Sequence, residues 1–544
     1  MTHHTPDPRL IVVADTVHTL DPARPHAQAV AVTDGTITAV GDRADVAGWR
    51  GKDTEVVDLG GATVTPGLVD GHVHPVMGLV LTAGVDLTGV RTRGELVEAL
   101  RAGVGDVRGG EWVRGWGLDP NAFEGAPITH EPLVTALGPD ALVHITLFDA
   151  HSALVSPRAL ERAGITGPRE FRSGARVVVA HDDAGGRPTG HLLELEAMDL
   201  VGDLLPPEAP ADRRRRFRDL LQSMAATGLV GANAMDFEGG SADLVVAVAD
   251  EEAGLPIRLR FAPFVMPHHG HDHLEHVVDL QRSAGRRWSV DGAKFMIDGT
   301  IDGGTAWLAE ADAHGESTAP FWPEPARYTE ALRFLAAHGV PTVTHAIGDA
   351  GIRHVLASVA GLDERPRVPH RVEHIETLPD DLVAEFARLD VTASMQPTHC
   401  THFTRADHSD NWSQRLGEVR ADRAFRTRDL RDAGARLALG SDWPIAPFDP
   451  RATMADARLR RTAGRREEEP VLPGQALTAL MALEGYTTHA AHAAGLGDRA
   501  GTVRAGARAD LVAFGLDPLS ADPDEFAQSP VHLTVVDGAV VHRS

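Results

Sequence analysis

Short apolar runs recur along the chain, and they are separated by polar or glycine-rich turns. Eight of these runs have the length and composition of buried strands, and most are followed by a helical stretch. The predicted strands are 62–69, 229–235, 257–265, 289–297, 341–345, 371–374, 391–395 and 437–440. Eight strands that alternate with helices predict an α/β fold, a (β/α)8 TIM-like barrel, whose chemistry lies at the carboxyl ends of the strands.

A doubly wound open sheet is the alternative for such an alternating pattern. That architecture binds phosphate groups at a glycine-rich turn after an early strand. No glycine-rich fingerprint of this kind follows the early strands of this chain. The barrel is therefore the preferred interpretation.

Both ends of the chain carry short strands of a different type, joined by tight turns. Asp34-Gly35 and Asp537-Gly538 are dipeptides that favour two-residue hairpin turns. The flanking apolar runs are 10–13, 29–32, 36–40, 510–514, 533–536 and 539–541. Neither end has enough strands for a sheet of its own. We therefore expect residues 1–62 and 500–544 to combine into one small β-sandwich.

A long insertion separates the first predicted barrel strand from the second. The gap is much longer than one βα unit needs, and it contains strand-like runs of its own at 142–147 and 175–179. An insertion on the catalytic face covers the pocket in many enzymes. We therefore predict a cap domain at 78–215 that shapes the substrate site, and a barrel formed by 63–77 and 216–499.

Composition and charge narrow the class of protein. The chain has 544 residues, of which 43% are hydrophobic and 24% charged, as in globular proteins. A net charge of −25 argues against nucleic acid as a partner. A single cysteine, Cys400, excludes an intramolecular disulfide and fits a reducing compartment. No apolar run approaches the length of a membrane span and no secretory signal is visible. We expect a cytoplasmic protein without a membrane partner.

Potential metal ligands stand at the ends of five predicted strands. His72 and His74 are separated by one residue, so both side chains can leave the first strand on the same side. A His-x-His pair is weak evidence by itself, but later strand ends add four more candidates. These are Lys294, His345, His374 and Asp442. Imidazole and carboxylate groups suit a divalent ion, zinc above all, which lowers the pKa of a bound water.

Several segments around these positions resemble one family. The chain resembles the amidohydrolase superfamily, and within it the YtcJ-like and N-substituted formamide deformylase-like branch. The similar segments, which extend over almost the whole chain, are TPGLVDGHVH at 65–74, PTGHLLE at 188–194, KFMIDGT at 294–300, HAIGDA at 345–350, RVEH at 371–374, SMQPTH at 394–399 and GSDWP at 440–444. One departure is the segment 300–304, which lacks the arginine that often follows in the branch and adds Asp302.

The resemblance implies roles for the candidate ligands. His72 and His74 would bind a buried metal ion, and His345 and His374 would bind a second ion or face the substrate. Asp442 would be both a ligand and a proton shuttle. Lys294 would be carboxylated and would bridge two ions, because an ammonium group has no lone pair for a metal. The alternative is an unmodified Lys294 paired with a carboxylate such as Asp298, which favours one ion.

The resulting prediction is a metal-dependent amidohydrolase that cleaves an amide or N-substituted formamide bond of a small molecule. Asp442 and His345 are the expected catalytic residues, with His345 stabilising the developing oxyanion. The expected substrate-binding residues are His151, Glu194 and Gln396. A deaminase or cyclic-amide hydrolase with the same ligands is the first alternative, and a non-catalytic regulatory scaffold is the second. The resemblance also suggests a homodimer.

Overall fold

The computed structural model describes residues 8–104, 111–171, 173–180 and 186–544. Parts of the predicted termini and insertion, at 1–7, 105–110, 172 and 181–185, lie outside the described residues. Within the described ranges, no helix combines the length and the apolar character that crossing a bilayer requires.

The N-terminal segment forms five strands, one short helix and a 3₁₀ turn at Arg43–Asp45. Its elements are β1 Leu10–His18, β2 His26–Thr33, β3 Thr36–Gly41, α1 Val46–Trp49, β4 Glu55–Asp58 and β5 Thr63–Pro66. The chain then enters the first barrel strand and a short helix, β6 Leu68–Val73 and α2 Met77–Leu81.

The inserted segment follows α2 and contains a 3₁₀ turn at Pro120–Phe123. Its elements are β7 Val85–Asp86, α3 Arg93–Gly103, β8 Trp112–Leu118, α4 Glu131–Leu137, β9 Leu142–Leu147, β10 Ser152–Val155, α5 Pro157–Arg162, β11 Arg169–Glu170, β12 Arg176–Val179, β13 Pro188–Leu193 and α6 Leu195–Gly202. The seven strands form one mixed sheet in the order β11-β12-β13-β10-β9-β8-β7.

The remaining barrel segment alternates strands with helices. Its elements are α7 Pro210–Ala226, β14 Leu229–Ala234, α8 Ser241–Ala249, β15 Arg258–Phe261, α9 His271–Leu280, β16 Ala284–Gly285, β17 Trp288–Val290, β18 Ala293–Met296, α10 Pro325–Ala337, β19 Thr342–Ala346, α11 Asp349–Ala360, β20 Arg371–His374, α12 Asp380–Leu389, β21 Thr392–Met395, α13 Pro397–Phe403, α14 Asn411–Leu416, α15 Glu418–Ala421, α16 Thr427–Asp432, β22 Leu437–Leu439, α17 Pro450–Leu459, a 3₁₀ turn at Pro473–Gln475, α18 Ala479–Tyr486 and α19 Thr488–Ala493.

Eight parallel strands of this segment and β6 follow one another around a TIM-barrel-like fold. Together with the antiparallel β16, they form two five-stranded sheets, β16-β17-β15-β14-β6 and β18-β19-β20-β21-β22. Parallel bridges link Phe264 to Lys294 at one seam and Val73 to Trp443 at the other. Because the seam between β22 and β6 joins the last barrel strand to the first, it brings residues of both chain halves to the same place.

The C-terminal segment returns to the strands of the N-terminus. It contains β23 Leu511–Phe514, α20 Pro523–Phe526, β24 Val531–Val536 and β25 Ala539–Arg543. These strands and β1 to β5 form one eight-stranded sheet, in the order β25-β24-β23-β5-β1-β2-β3 with β4 paired to β1. Asp34 and Gly35 have φ values of 45° and 76°, the left-handed conformation that a tight hairpin turn requires.

Two predicted strands are each divided in the structure. The run predicted at 62–69 is split at Gly67: β5 belongs to the terminal sheet and β6 to the barrel. A Cβ at Gly67 would lie 2.3 Å from a methyl group of Val230, so the crossing chain leaves no room for a side chain. The run predicted at 289–297 is interrupted at Gly292, whose φ of +118° is not strand-like.

Candidate metal centre

Three ligand atoms converge where the first and last barrel strands meet. His72 Nε2 and His74 Nε2 lie 3.3 Å apart, and each lies 3.3 Å from Asp442 Oδ1. All three side chains are buried, and Asp442 Oδ1 has no hydrogen-bond partner among the described residues. The backbone N–H of Asp442 donates to the carbonyl of His72 over 2.8 Å, which fixes the two strand ends relative to each other.

This donor set has the chemistry and the spacing that a divalent ion needs. A point equidistant from three atoms 3.3 Å apart lies about 1.9 Å from each, close to the distances of about 2.0–2.2 Å at which zinc binds nitrogen and oxygen. His374 belongs to the same region, since its ligand atoms and those of His72 and Asp442 all lie within 4.8 Å of one another. The residues therefore fit a metal ion, and the unpartnered carboxylate oxygen would gain a partner from it.

Hydrogen bonds determine which histidine nitrogens remain free. His72 Nδ1 donates to Glu373 over 2.6 Å, and His374 Nδ1 donates to the side-chain oxygen of Gln396 over 2.9 Å. His345 Nε2 donates to the carbonyl of Gly299 over 3.1 Å. The opposite nitrogen of each ring therefore carries the lone pair that a metal needs.

Burial keeps these imidazoles neutral. It lowers the pKa of His72, His345 and His374 well below the ordinary histidine range, with neighbouring positive groups adding to the effect. Burial also lowers the pKa of His74. Since only the neutral ring offers a lone pair, the environment favours the state that binds a metal ion.

Lys294 lies on β18 beside the histidines and is 2% exposed. Burial lowers its pKa to about 8, although Glu373 and Asp442 oppose this shift. The alternative pairing with Asp298 is not found among the described ion pairs. Asp298 instead accepts hydrogen bonds from the backbone N–H groups of Ile347, Gly348 and Trp307. The whole sequence contains two lysines, Lys52 and Lys294, and Lys294 lies in this candidate centre.

The inserted segment reaches the centre through a histidine and a glutamate. His151 Nδ1 lies 2.9 Å from Glu194 Oε2, and the His151 ring lies 5.5 Å from the His345 ring, centroid to centroid. Thr305, which follows β18, donates to Glu194 Oε1 over 2.6 Å. Burial opposes a charge on His151, but the charge and hydrogen bond of Glu194 outweigh it and raise the pKa of His151 to about 9.

A cavity of about 410 Å³ opens over the candidate metal centre. This volume lies in the range of about 300–1,000 Å³ found for small-molecule sites. His74, Lys294, His345, His374 and Asp442 all line it. The centre is therefore accessible to a small substrate.

The three predicted substrate-binding residues have different positions. His151 lines the cavity, whereas Glu194 and Gln396 support it from behind by holding His151 and His374. The prediction did not include His399, which lines the cavity next to His374. Its Nε2 atom is buried without a hydrogen-bond partner and lies 3.7 Å from Asp442 Oδ2.

Glu373 is another residue of the candidate centre that the prediction did not include. It accepts from His72 and forms a buried ion pair with Arg371 at 2.9 Å. Both residues lie in segments that resemble the family, His399 in SMQPTH and Glu373 in RVEH. These segments were the sequence feature that could have indicated them. The contact of Glu373 with His72 and that of His399 with Asp442 join residues far apart in the sequence, so neither could be read from it.

Comparison with known proteins agrees with this geometry. A family model described as Amidohydrolase family matches residues 55–542. The chain belongs to the amidohydrolase family. The family match and the similarity to YtcJ and to N-substituted formamide deformylase confirm the predicted superfamily and branch. The protein is a hydrolase.

Two relatives cover nearly the whole chain. YtcJ of Bacillus subtilis (strain 168) is 26% identical over 519 residues, which are 95% of this chain and 96% of the relative. The N-substituted formamide deformylase of Arthrobacter pascens is 27% identical over 549 residues, which are 98% of both chains. The fold is similar to that of an uncharacterized metal-dependent hydrolase from Pyrococcus horikoshii OT3, with a TM-score of 0.71, 23% identity and coverage of 94% of this chain and 99% of that one.

Proposed function

We propose that this protein is a metal-dependent amidohydrolase that cleaves the C–N bond of an amide or N-substituted formamide in a small molecule. The observation that carries this proposal is the convergence of His72 Nε2, His74 Nε2 and Asp442 Oδ1 at 3.3 Å beneath a cavity of substrate size. The similarity to a formamide deformylase over 98% of both chains supports the choice of bond.

The proposed metal-binding residues are those whose free donor atoms face the same space. They are His72, His74, Lys294, His345, His374 and Asp442. Their nitrogen and oxygen donors favour zinc, as one ion, or as two if Lys294 is carboxylated and bridges them. A bound divalent ion would lower the pKa of a coordinated water and polarise the substrate carbonyl.

Asp442 is the proposed proton carrier. Its Oδ1 atom is unpartnered, and its Oδ2 atom lies 3.7 Å from His374 Nδ1 and from His399 Nε2. The carboxylate can accept a proton from the attacking water and pass it towards the leaving nitrogen. His399, with its free Nε2 in the same cavity, is the neighbouring group that can share this proton.

His345 is better suited to bind the metal ion than to donate a hydrogen bond to the developing oxyanion. Its Nε2 proton is already bonded to Gly299, so stabilising the substrate oxygen would require that bond to break or the ring to become charged. Burial opposes the charged form. We therefore assign the ligand role to His345. The inserted segment supplies His151 to the cavity, in agreement with a cap over the site.

A hydrolysis screen with metal-quantified protein tests the proposal. N-formyl, N-acyl and cyclic amides and aminated heterocycles would be offered to wild type, to His72→Ala and to His338→Ala, a matched change at the end of α10. We expect turnover of a formamide or amide that is lost on chelation and in His72→Ala, and is unchanged in His338→Ala. Exclusive release of ammonia from the heterocycles would favour a deaminase, and the absence of bound transition metal would favour a scaffold.

A further inference from the structure

One face of helix α6 forms a wall of the active-site cavity. Leu195, Met198, Asp199 and Gly202 line the cavity, and their spacing of three and four residues places them on one side of the helix. Their opposite neighbours Ala197 and Val201 are fully buried in the core of the inserted segment. The lining face is therefore held in place by packing behind it.

Helix α6 runs from the floor of the cavity towards its mouth. Glu194, directly before the helix, holds His151 against His345 at the metal centre. At the other end Leu204 is 37% exposed to solvent. Because an α-helix rises about 1.5 Å per residue, Gly202 lies about 10 Å along the axis from Leu195. Residues further along α6 from Leu195 therefore lie further from the metal centre and nearer to the cavity mouth.

The side chains beside this path are mainly apolar. Met77 and Leu81 of α2 line the same cavity as Leu195 and Met198 of α6. An alkyl or aryl group between these helices would lose its contact with water and gain free energy in proportion to the area buried. The path therefore suits a hydrocarbon group.

The α6 end of the cavity carries more acidic than basic side chains among the described lining residues. The described residues that line the cavity include one lysine, Lys294, and one arginine, Arg114. Lys294 lies in the candidate metal centre, and Arg114, which keeps its charge, donates one N–H to the carbonyl of Val80 over 2.7 Å. Asp199 of α6 and Asp203, directly after the helix, line the cavity as well. Acidic neighbours repel an anionic substrate arm.

From these observations we propose that α6 and α2 bind an uncharged apolar arm of the substrate, and that Gly202 sets the length of arm that fits. This inference rests on the proposed function, because it describes the substrate of the same site. The scissile bond would lie at the metal centre, and the arm would extend along α6 towards the mouth.

Gly202 provides a clean test. A Cβ built there meets no atom within 4 Å, and its φ is not in the left-handed region, so a larger side chain can enter the cavity without displacing the helix. Gly48 on α1 is a matched control, since a Cβ there also meets nothing within 4 Å and the residue lies in the terminal sheet unit.

The experiment measures kcat and KM for N-alkylformamides from methyl to octyl with wild type, Gly202→Phe and Gly48→Phe. For wild type, kcat/KM should rise by about two- to fourfold per added methylene, as expected for burial of hydrocarbon. Gly202→Phe should raise KM for the octyl compound at least tenfold more than it raises KM for the methyl compound. Gly48→Phe should change neither. Octyl analogues ending in a carboxylate or an ammonium group should be at least tenfold poorer.

Several results would overturn the inference. An octyl KM unchanged by Gly202→Phe, an equal loss for methyl and octyl compounds, or a preference for either charged analogue would each do so. If wild type hydrolyses no formamide or amide, the proposed function fails, and calorimetry with 1-octanol, which has no bond to cleave, still tests the arm site. Wild type and Gly48→Phe should then bind octanol at least tenfold more tightly than Gly202→Phe, and equal binding would refute the site.

Discussion

Glu373 Oε2 accepts a hydrogen bond from His72 Nδ1 over 2.6 Å, and neither side chain is exposed to solvent. Glu373 also binds Arg371, whose guanidinium contacts the carbonyl of Gly71 directly before His72. This chain of contacts links β20 to the end of β6. It orients the His72 ring so that Nε2 points to the other ligand atoms.

Glu373→Gln should weaken metal binding and destabilise the protein together. Loss of a carboxylate behind a ligating histidine costs about 10- to 100-fold in metal affinity. It also leaves the buried charge of Arg371 unpaired, which costs about 3–5 kcal/mol of unfolding free energy. Chelator competition and denaturant unfolding measure the two effects. Glu385→Gln, at a partly exposed pair on α12, is the control and should alter neither quantity.

Asp442→Asn should separate proton transfer from metal binding. Asparagine keeps the size of the side chain but cannot accept a proton, so kcat should fall at least about a hundredfold. The histidine donors remain, so metal content should fall only in part. Steady-state kinetics at equal metal content measure this effect, and Asp432→Asn, at an exposed position of α16, is the control. A rate within tenfold of wild type would assign the proton to another group, His399 being the neighbour in reach.

Lys294 should form a carbamate, and the lysine content of the chain makes this measurable. With lysine at two positions, ¹³C-bicarbonate should give one lysine carbamate signal, retained in Lys52→Arg and absent in Lys294→Arg. Lys294→Ala should regain part of its activity with acetate or propionate, which can fill the vacated space. A carbamate signal that persists in Lys294→Arg, or no signal in active metal-loaded enzyme, would contradict the assignment.

The ion pair of His151 and Glu194 should make stability depend on pH in the alkaline range. The pKa of His151 is raised to about 9 in the folded protein, above its ordinary value, and the pKa of Glu194 is lowered. The raised pKa of His151 contributes its full stabilisation below pH 6.5, the ordinary histidine pKa. This contribution is lost as the pH rises through about 9.

The corresponding measurement is the Tm difference between wild type and Glu194→Gln. It should be largest at pH 6 to 7 and should shrink above pH 9. Glu98→Gln, an exposed change on α3 of the same inserted segment, should show a small difference at every pH. A difference for Glu194→Gln that grows with pH would show that the pair is not charged in the folded protein.

The sequence by itself determined the strand pattern and most of the candidate ligand set. The period of two in His72-Val73-His74 places both rings on one side of a strand, and eight apolar runs of strand length indicated the TIM-barrel-like fold. Carboxyl ends of parallel strands share one face, so His345, His374 and Asp442 could be grouped without coordinates. These features are local, because each depends on residues a few positions apart.

The tertiary structure alone decided the contacts that cross the chain. The crossing at Gly67, the support of His72 by Glu373 and the unpartnered Nε2 of His399 beside Asp442 involve residues that no local period relates. The direction of α6 along the cavity depends on how the insertion packs against the barrel mouth. Such contacts arise when barrel strands meet and separate cores dock, and their free energy depends on complementary shape between distant segments rather than on local sequence.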